Sequence, residues 1–249
     1  MDYGICPQSV VALREKPDEI ATMVSQMLYG EAFKIIETRK HWSKVRLAHD
    51  KFEGWSQNLQ IQQISEEDYQ NLTQEESHRS LDLISHVESA KGIIKPILLG
   101  TVTSSSSFLK DVFEEASCHG AQKRESLLDT ALLYLKTPYL NGGRTPFGID
   151  ASGFTQMVYL INGYYLAREA EQQSKQGQAL SFIEESEPGD LAFFDDSEGV
   201  IDHVGIILQD NHVIHCHGEV RIDRIDHTGI FNRDTRRYSH QLRVIKKVI

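Results

Sequence analysis

The residues best suited to chemistry lie at three places in the second half of the chain. The first is the stretch TPYLNGGRTPFGIDASGF, residues 137–154, in which a Gly-rich turn leads into a helical pattern that begins at Ala151. A helix start exposes backbone N–H groups and the positive end of the helix dipole, so it can hold an oxyanion, and a thiol seated there would have a lowered pKa. The second and third are His203, which opens the run HVGIIL, and His215, in the run HVIHCH after the turn Gln209-Asp210-Asn211. Two adjacent antiparallel strands would bring both imidazoles to one face, where one can act as a base and the other can orient it. Cys216 and His217 follow His215 directly. Strand alternation sends Cys216 to the face opposite His215 and His217. His203, His215 and His217 would then share a face. Three histidines can hold zinc, but the sequence supplies no evident fourth ligand, and the expectation is no metal and no cofactor.

The elements that must position these groups change character along the chain. Residues 1–64 read as all-β, with Phe33, Ile35, Val45 and Leu47 in short alternating runs and turns at Gly30, His49-Asp50 and Gly54, which suggests a small barrel. Residues 65–79 are polar and acidic and read as a solvated helix or linker. Strand-like runs return at 80–100, and 65–120 as a whole reads as a linker or a degenerate second barrel. From Arg124, Leu127, Leu128, Ala131, Leu132 and Leu135 recur at helical spacing, ended by Pro138. A second helix spans about Ala151 to Ile161, stopped by Asn162-Gly163. Compact strands follow at 190–194, 203–208, 212–217 and at the C-terminal end. Helices followed by antiparallel strands give an α+β domain over 121–249.

Bulk properties narrow the function classes. The chain has 249 residues, 40% of them hydrophobic and 25% charged, enough for a real core. A formal net charge of −10 argues against a nucleic-acid partner, which requires a basic surface. No apolar run approaches the ~20 residues of a membrane span, and MDYGICPQSV does not read as a secretion signal. The three cysteines, Cys6, Cys118 and Cys216, are widely spread and give no disulfide framework. The expectation is a soluble cytoplasmic protein with neither a nucleic-acid nor a membrane partner.

With cysteine at 151, the stretch would read GIDCSGFTQ, and in this form the chain resembles the NlpC family of papain-like cysteine peptidases. EPGDLAFF at 187–194, DHVGIIL at 202–208 and VIH at 213–215 extend the resemblance in the same order. It implies a papain-like α+β catalytic domain preceded by a bacterial Src-homology-3-like barrel over 1–64. The implied parent activity is that of a γ-D-glutamyl-L-diamino-acid endopeptidase acting on small muropeptides. By resemblance, position 151 is the nucleophile's seat, His203 the general base and His215 the residue that orients it. Tyr139 matches a tyrosine near the oxyanion, and Asp150 and Ser152 match residues lining the substrate groove.

The departures from the family crowd around the same pocket. Ala151 offers a methyl group, which cannot attack a carbonyl. Asn141 stands where the family has tryptophan, and Cys216 and His217 stand where it has small residues. Three readings remain open on the sequence: a peptidase scaffold inactive through Ala151, a pseudoenzyme that binds peptides, and an engineered hydrolase or esterase using Cys216 with a neighbouring histidine on a small molecule.

Overall fold

The computed structural model describes residues 2–249, and the chain divides into two units. The first comprises residues up to Ala121 together with Asn141–Pro146 and Ile161–Tyr165. Its N-terminal part is an antiparallel sheet of seven strands: β1 (Asp2–Ile5), β2 (Val10–Arg14), β3 (Met23–Leu28), β4 (Ala32–Thr38), β5 (Trp42–Leu47), β6 (Glu53–Gln57) and β7 (Gln62–Ile64), in the order β3-β2-β6-β5-β4-β1-β7. Alternation in β2, β4 and β5 turns Val11, Leu13, Phe33, Ile35, Val45 and Leu47 to one face, where they pack with Cys6 and Met27. Helix α1 (Glu66–Gln74) begins at Ser65, whose side chain accepts the Asp68 N–H, and three acidic residues occupy its first turn. Its Tyr69 packs on Tyr3 and Ala32.

The remainder of this unit is built from short strands. These are β8 (Arg79–Ser80), β9 (Ile84–Ser89), β10 (Ile94–Leu98), β11 (Asp111–Val112) and β12 (Ser117–Cys118). They form a three-stranded sheet, β10-β9-β11, and a two-stranded one, β12-β8, with Val87 and Ile97 packed against Tyr29. Arg144, at the start of β13 (Arg144–Thr145), is fully buried in this unit. Its Nη1 and Nη2 donate to the two carboxylate oxygens of Glu31 at 3.0 Å each. Burial works to raise the Glu31 carboxyl pKa, but Arg144 and His49 hold it below its ordinary value.

The second unit comprises Gln122–Leu140, Phe147–Leu160 and Leu166–Ile249. It contains α2 (Arg124–Leu133), β14 (Gly148–Ile149), α3 (Ala151–Ile161, to Leu160), α4 (Ala170–Gln173) and β15 (Gln178–Leu180). Six strands follow: β16 (Leu191–Asp195), β17 (Ile201–Leu208), β18 (His212–His217), β19 (Glu219–Ile225), β20 (Gly229–Asn232) and β21 (Arg237–Lys247). They pair in that order, and β21 also pairs with β16, so the six close into a barrel. Closure explains the composition of the strands, because residues on alternate positions must fill the interior. Ala192, Phe194, Ile207, Val213, Ile225, Ile230 and Ile245 do so. The sequence reading foresees β16, β17, β18 and β21 but not β19 and β20, which complete the ring. The α+β class read from the sequence is the one observed. No helix among the described residues is long and apolar enough to cross a membrane.

Candidate active site

Ala151 is the first residue of α3 and is buried, 6% exposed. Asp150 caps the helix. Its carbonyl accepts the Phe154 N–H at 2.9 Å, and its Oδ1 accepts the Gly153 N–H at 2.7 Å. This takes the third N–H of the helix and leaves those of Ala151 and Ser152 without intrahelical acceptors. Arg168 grips the Asp150 carboxylate with both terminal nitrogens, at 2.9 and 2.6 Å, and also reaches Ser152 Oγ at 3.0 Å. Asp150 and Ser152 therefore belong to a buried network that fixes the helix start. Sequence reasoning missed Arg168, which lies 18 residues downstream in a segment without a motif.

The strands bring His203 and His215 together. His203 Nε2 and His215 Nδ1 are 2.9 Å apart, and His215 Nε2 lies 3.2 Å from Asp223 Oδ2. Asp223 is buried, and its carboxylate also accepts from Arg221 Nε at 2.6 Å and Nη2 at 3.1 Å. Burial would raise its pKa, but the His215 and Arg221 hydrogen bonds hold it well below the usual carboxylate range. An ionised carboxylate is acceptor-only, so it takes the His215 Nε2–H. His215 Nδ1 is then the acceptor for the His203 Nε2–H, and the His203 lone pair resides on Nδ1. This orders a relay from Asp223 through His215 to His203. Burial, followed by the neighbouring histidines, pushes the His203 pKa well below its ordinary value, so its imidazole is neutral.

Asp223 lies on β19, which the sequence reading did not assign as a strand. A signal was present: Val220 and Ile222 alternate with Arg221 and Asp223, a strand pattern with its charged face turned into the barrel.

The same parity decides the place of Cys216. His203, Ile207, Val213 and His215 share the barrel interior, while Cys216 faces outward, its Sγ donating to Ile149 O at 3.2 Å. That contact sets β18 beside the segment leading into α3. Cys216 is 1% exposed, and burial, with Asp150 and Glu219 adding to it, pushes the thiol pKa up to about 12. A nucleophile requires the reverse, an accessible thiol with a depressed pKa. Burial and the raised pKa count against Cys216 as an alternative nucleophile.

Tyr139 is 48% exposed, and its backbone N–H donates to Gly218 O at 2.9 Å, at the β18–β19 turn. Burial of the rest of its ring and the nearby Asp150 raise its hydroxyl pKa. His217 is exposed, with its ring 6.4 Å from that of His215. Asn141 is exposed and belongs to the first unit.

A further imidazole joins the pair from a strand not considered for the site. The His240 ring stacks on His203 at 3.9 Å and stands 4.9 Å from His217. Strict alternation from Ile245, which faces the interior, would turn His240 outward. The register between β16 and β21 shifts between Phe193 and Phe194, so that Phe193 pairs with Val244 and Phe194 with Leu242. Arg243 is the extra residue of this bulge, which reverses the parity and aims His240 inward. Burial, His215 and His217 lower the His240 pKa to about 3.

Residues 136–238 match the NlpC/P60 family, and residues 13–58 match the bacterial dipeptidyl-peptidase SH3 domain. Dipeptidyl-peptidase 6 of Lysinibacillus sphaericus is 28% identical over 249 residues, covering 86% of this chain and 88% of that one. A gamma-D-glutamyl-L-lysine dipeptidyl-peptidase of Bacillus subtilis (strain 168) is 36% identical over 93 residues, which cover 36% of this chain and 31% of the relative. The crystal structure of an NlpC/P60 family protein from Bacillus cereus superposes with a TM-score of 0.81 over 99% of both chains. At 18% identity that likeness establishes the fold.

Proposed function

We propose that this chain, an NlpC/P60-family domain behind a bacterial SH3 domain, binds small peptidoglycan peptides containing a γ-D-glutamyl-diamino-acid unit and does not cleave them. The observation that carries this reading is Ala151 at the first position of α3, in a domain whose Asp223–His215–His203 relay is intact. By family resemblance, position 151 is the nucleophile's seat. The relay ends in a neutral imidazole able to take a proton, and the helix start offers N–H groups to an oxyanion or a peptide carbonyl. Of the nucleophile, the base and the residue that orients it, the nucleophile is the one replaced. A methyl group forms no acyl-enzyme, so the parts that recognise a carbonyl remain while the covalent step is lost.

The substrate class rests on the relatives' names and on the resemblance. One relative is a gamma-D-glutamyl-L-lysine dipeptidyl-peptidase, and the family resemblance implies substrates such as L-Ala-γ-D-Glu-diamino acid. The test is calorimetric titration of the chain with L-Ala-γ-D-Glu-L-Lys, with chromatography of the same mixture. Saturable binding with the peptide recovered whole is expected. Release of L-Ala-D-Glu at a peptidase's rate would overturn the non-cleaving reading, and absence of heat at millimolar peptide would overturn the binding one.

A further inference from the structure

The barrel interior has an apolar end and an imidazole end. At the second end, one ring nitrogen from each of His203, His215 and His240 lies within 4.8 Å of the others. We propose that these three histidines bind a single divalent transition-metal ion of the zinc class. This inference goes beyond peptide binding and stands without it. The sequence predicts no tight metal because it offers His203, His215 and His217 without a further ligand. The bulge at Arg243 changes the ligand set by supplying His240.

Four observations carry the proposal. First, His203 Nε2 and His215 Nδ1 meet at 2.9 Å, where a single proton is shared between two neutral imidazoles. A zinc ion with bonds of ~2.0–2.1 Å and near-tetrahedral angles holds two such nitrogens about 3.3 Å apart, so replacing the proton requires an opening of a few tenths of an ångström. Second, the remaining nitrogen of His215 is bonded to Asp223, itself held by Arg221. Metal-binding histidines almost always carry such a carboxylate partner, which fixes the tautomer and raises ligand basicity. Third, His203 and His215 are buried and His240 is half-buried, so the converging nitrogens are shielded from competing water. Fourth, a cavity of about 630 Å³ that His240 borders is also lined by Asp195, Asp196 and Asp202. Arg243 Nε is 3.7 Å from Asp195. These carboxylates place negative charge on the wall that His240 borders, which favours a cation.

The His203 and His240 rings stack at 17°, so their lone pairs run side by side. Convergence requires the half-buried His240 ring to turn, while His203 and His215 move apart only by the few tenths of an ångström already described. The exposed His217, 4.9 Å from His240, or water then completes the coordination.

The probe is the metal alone, added to untagged, chelator-treated full-length chain. One Co²⁺ per chain should bind with visible d–d absorption and be displaced by one equivalent of Zn²⁺. His240→Asn should weaken Zn²⁺ binding at least ~100-fold and Asp223→Asn ~10–100-fold, with near-UV circular dichroism confirming that both fold. The exposed His41 serves as control, and His41→Ala should bind like the wild type. Absence of a saturable cobalt band in the wild type would overturn the proposal whatever the variants do. So would a folded His240→Asn that binds Zn²⁺ as tightly as the wild type.

Discussion

Ala and Cys differ by one sulfur atom, and in the proposed function that atom at position 151 separates a binding protein from a peptidase. In the proposed reading the helix start and the relay would serve a thiolate. Asp150 and Arg168 fix the helix start, and the Asp223–His215–His203 relay leaves a lone pair on His203 Nδ1. Ala151→Cys in metal-free protein is therefore expected to give a thiol that alkylates with a midpoint at least one pH unit below the ~8.5 of a free cysteine. Weak cleavage of L-Ala-γ-D-Glu-L-Lys should accompany it. Iodoacetamide labelling against pH, with peptide mapping to exclude Cys6, Cys118 and Cys216, measures the first quantity. A midpoint near 8.5 together with an uncleaved peptide would show that the relay does not serve position 151. Cys6 and Cys216 are expected to label slowly for one physical reason: both are buried, and burial pushes each thiol pKa up to about 12.

At the scale of elements, the imidazole cluster depends on how closely β17 and β18 approach. Gly205 pairs with His215 on the barrel interior. A Cβ there would fall 2.6 Å from Val213 Cγ2 and 3.0 Å from both His215 Cβ and Ile214 O. The first distance lies inside any real van der Waals contact, so an added methyl must push β18 away or deform β17. Gly205→Ala is expected to destabilise the fold by about 1–3 kcal/mol, in the range of overpacked cores, and to break the His203–His215 contact. Urea denaturation reads the first effect, and imidazole ¹⁵N chemical shifts read the second. An unchanged midpoint with wild-type shifts would mean that the strands have room to spare. The bulge that aims His240 is the complementary device: one strand is tightened by a missing side chain and another is turned over by an extra residue.

For the whole molecule, burying neutral histidines makes stability depend on pH in a known direction. The folded-state pKa values of His203 and His240 lie below the ordinary 6.5, that of His240 at about 3. Between those values the unfolded chain binds more protons than the folded one, so stability falls as pH falls. Each histidine kept fully neutral contributes a slope of up to about 1.4 kcal/mol per pH unit, less for the partly solvated His240. Asp223 and Glu31 have depressed pKa values and add their loss only below about 4. The window from pH 6.5 to 4.5 thus reports mainly on His203, His215 and His240, which are faced by His217, Asp223 and Arg221, with the neighbouring Asp202, whose pKa is raised, acting in the opposite direction. Urea titrations across that window should show a steady decline, shallower in His240→Asn. A flat profile would contradict the burial of neutral imidazoles.

The sequence by itself determined the elements that local pattern encodes and the order of the motifs. Helical spacing marked α2 and α3, alternation marked β16, β17, β18 and β21, and parity alone put His203 and His215 on one face and Cys216 on the other. Ala151 at a helix start was legible for the same reason, because a turn followed by an apolar 3.6-residue period is a local signal. The tertiary structure decided what depends on pairing between distant strands. Asp223 reaches His215 only because β19 lies beside β18, Arg168 reaches Asp150 across 18 residues, and β20 meets β21 to close the ring. His240 is the sharpest case. Reading outward from Ile245 by twos gives the wrong face, and the single extra residue that corrects it is visible only when β21 is laid against β16, since a bulge belongs to a pair of strands and not to either one.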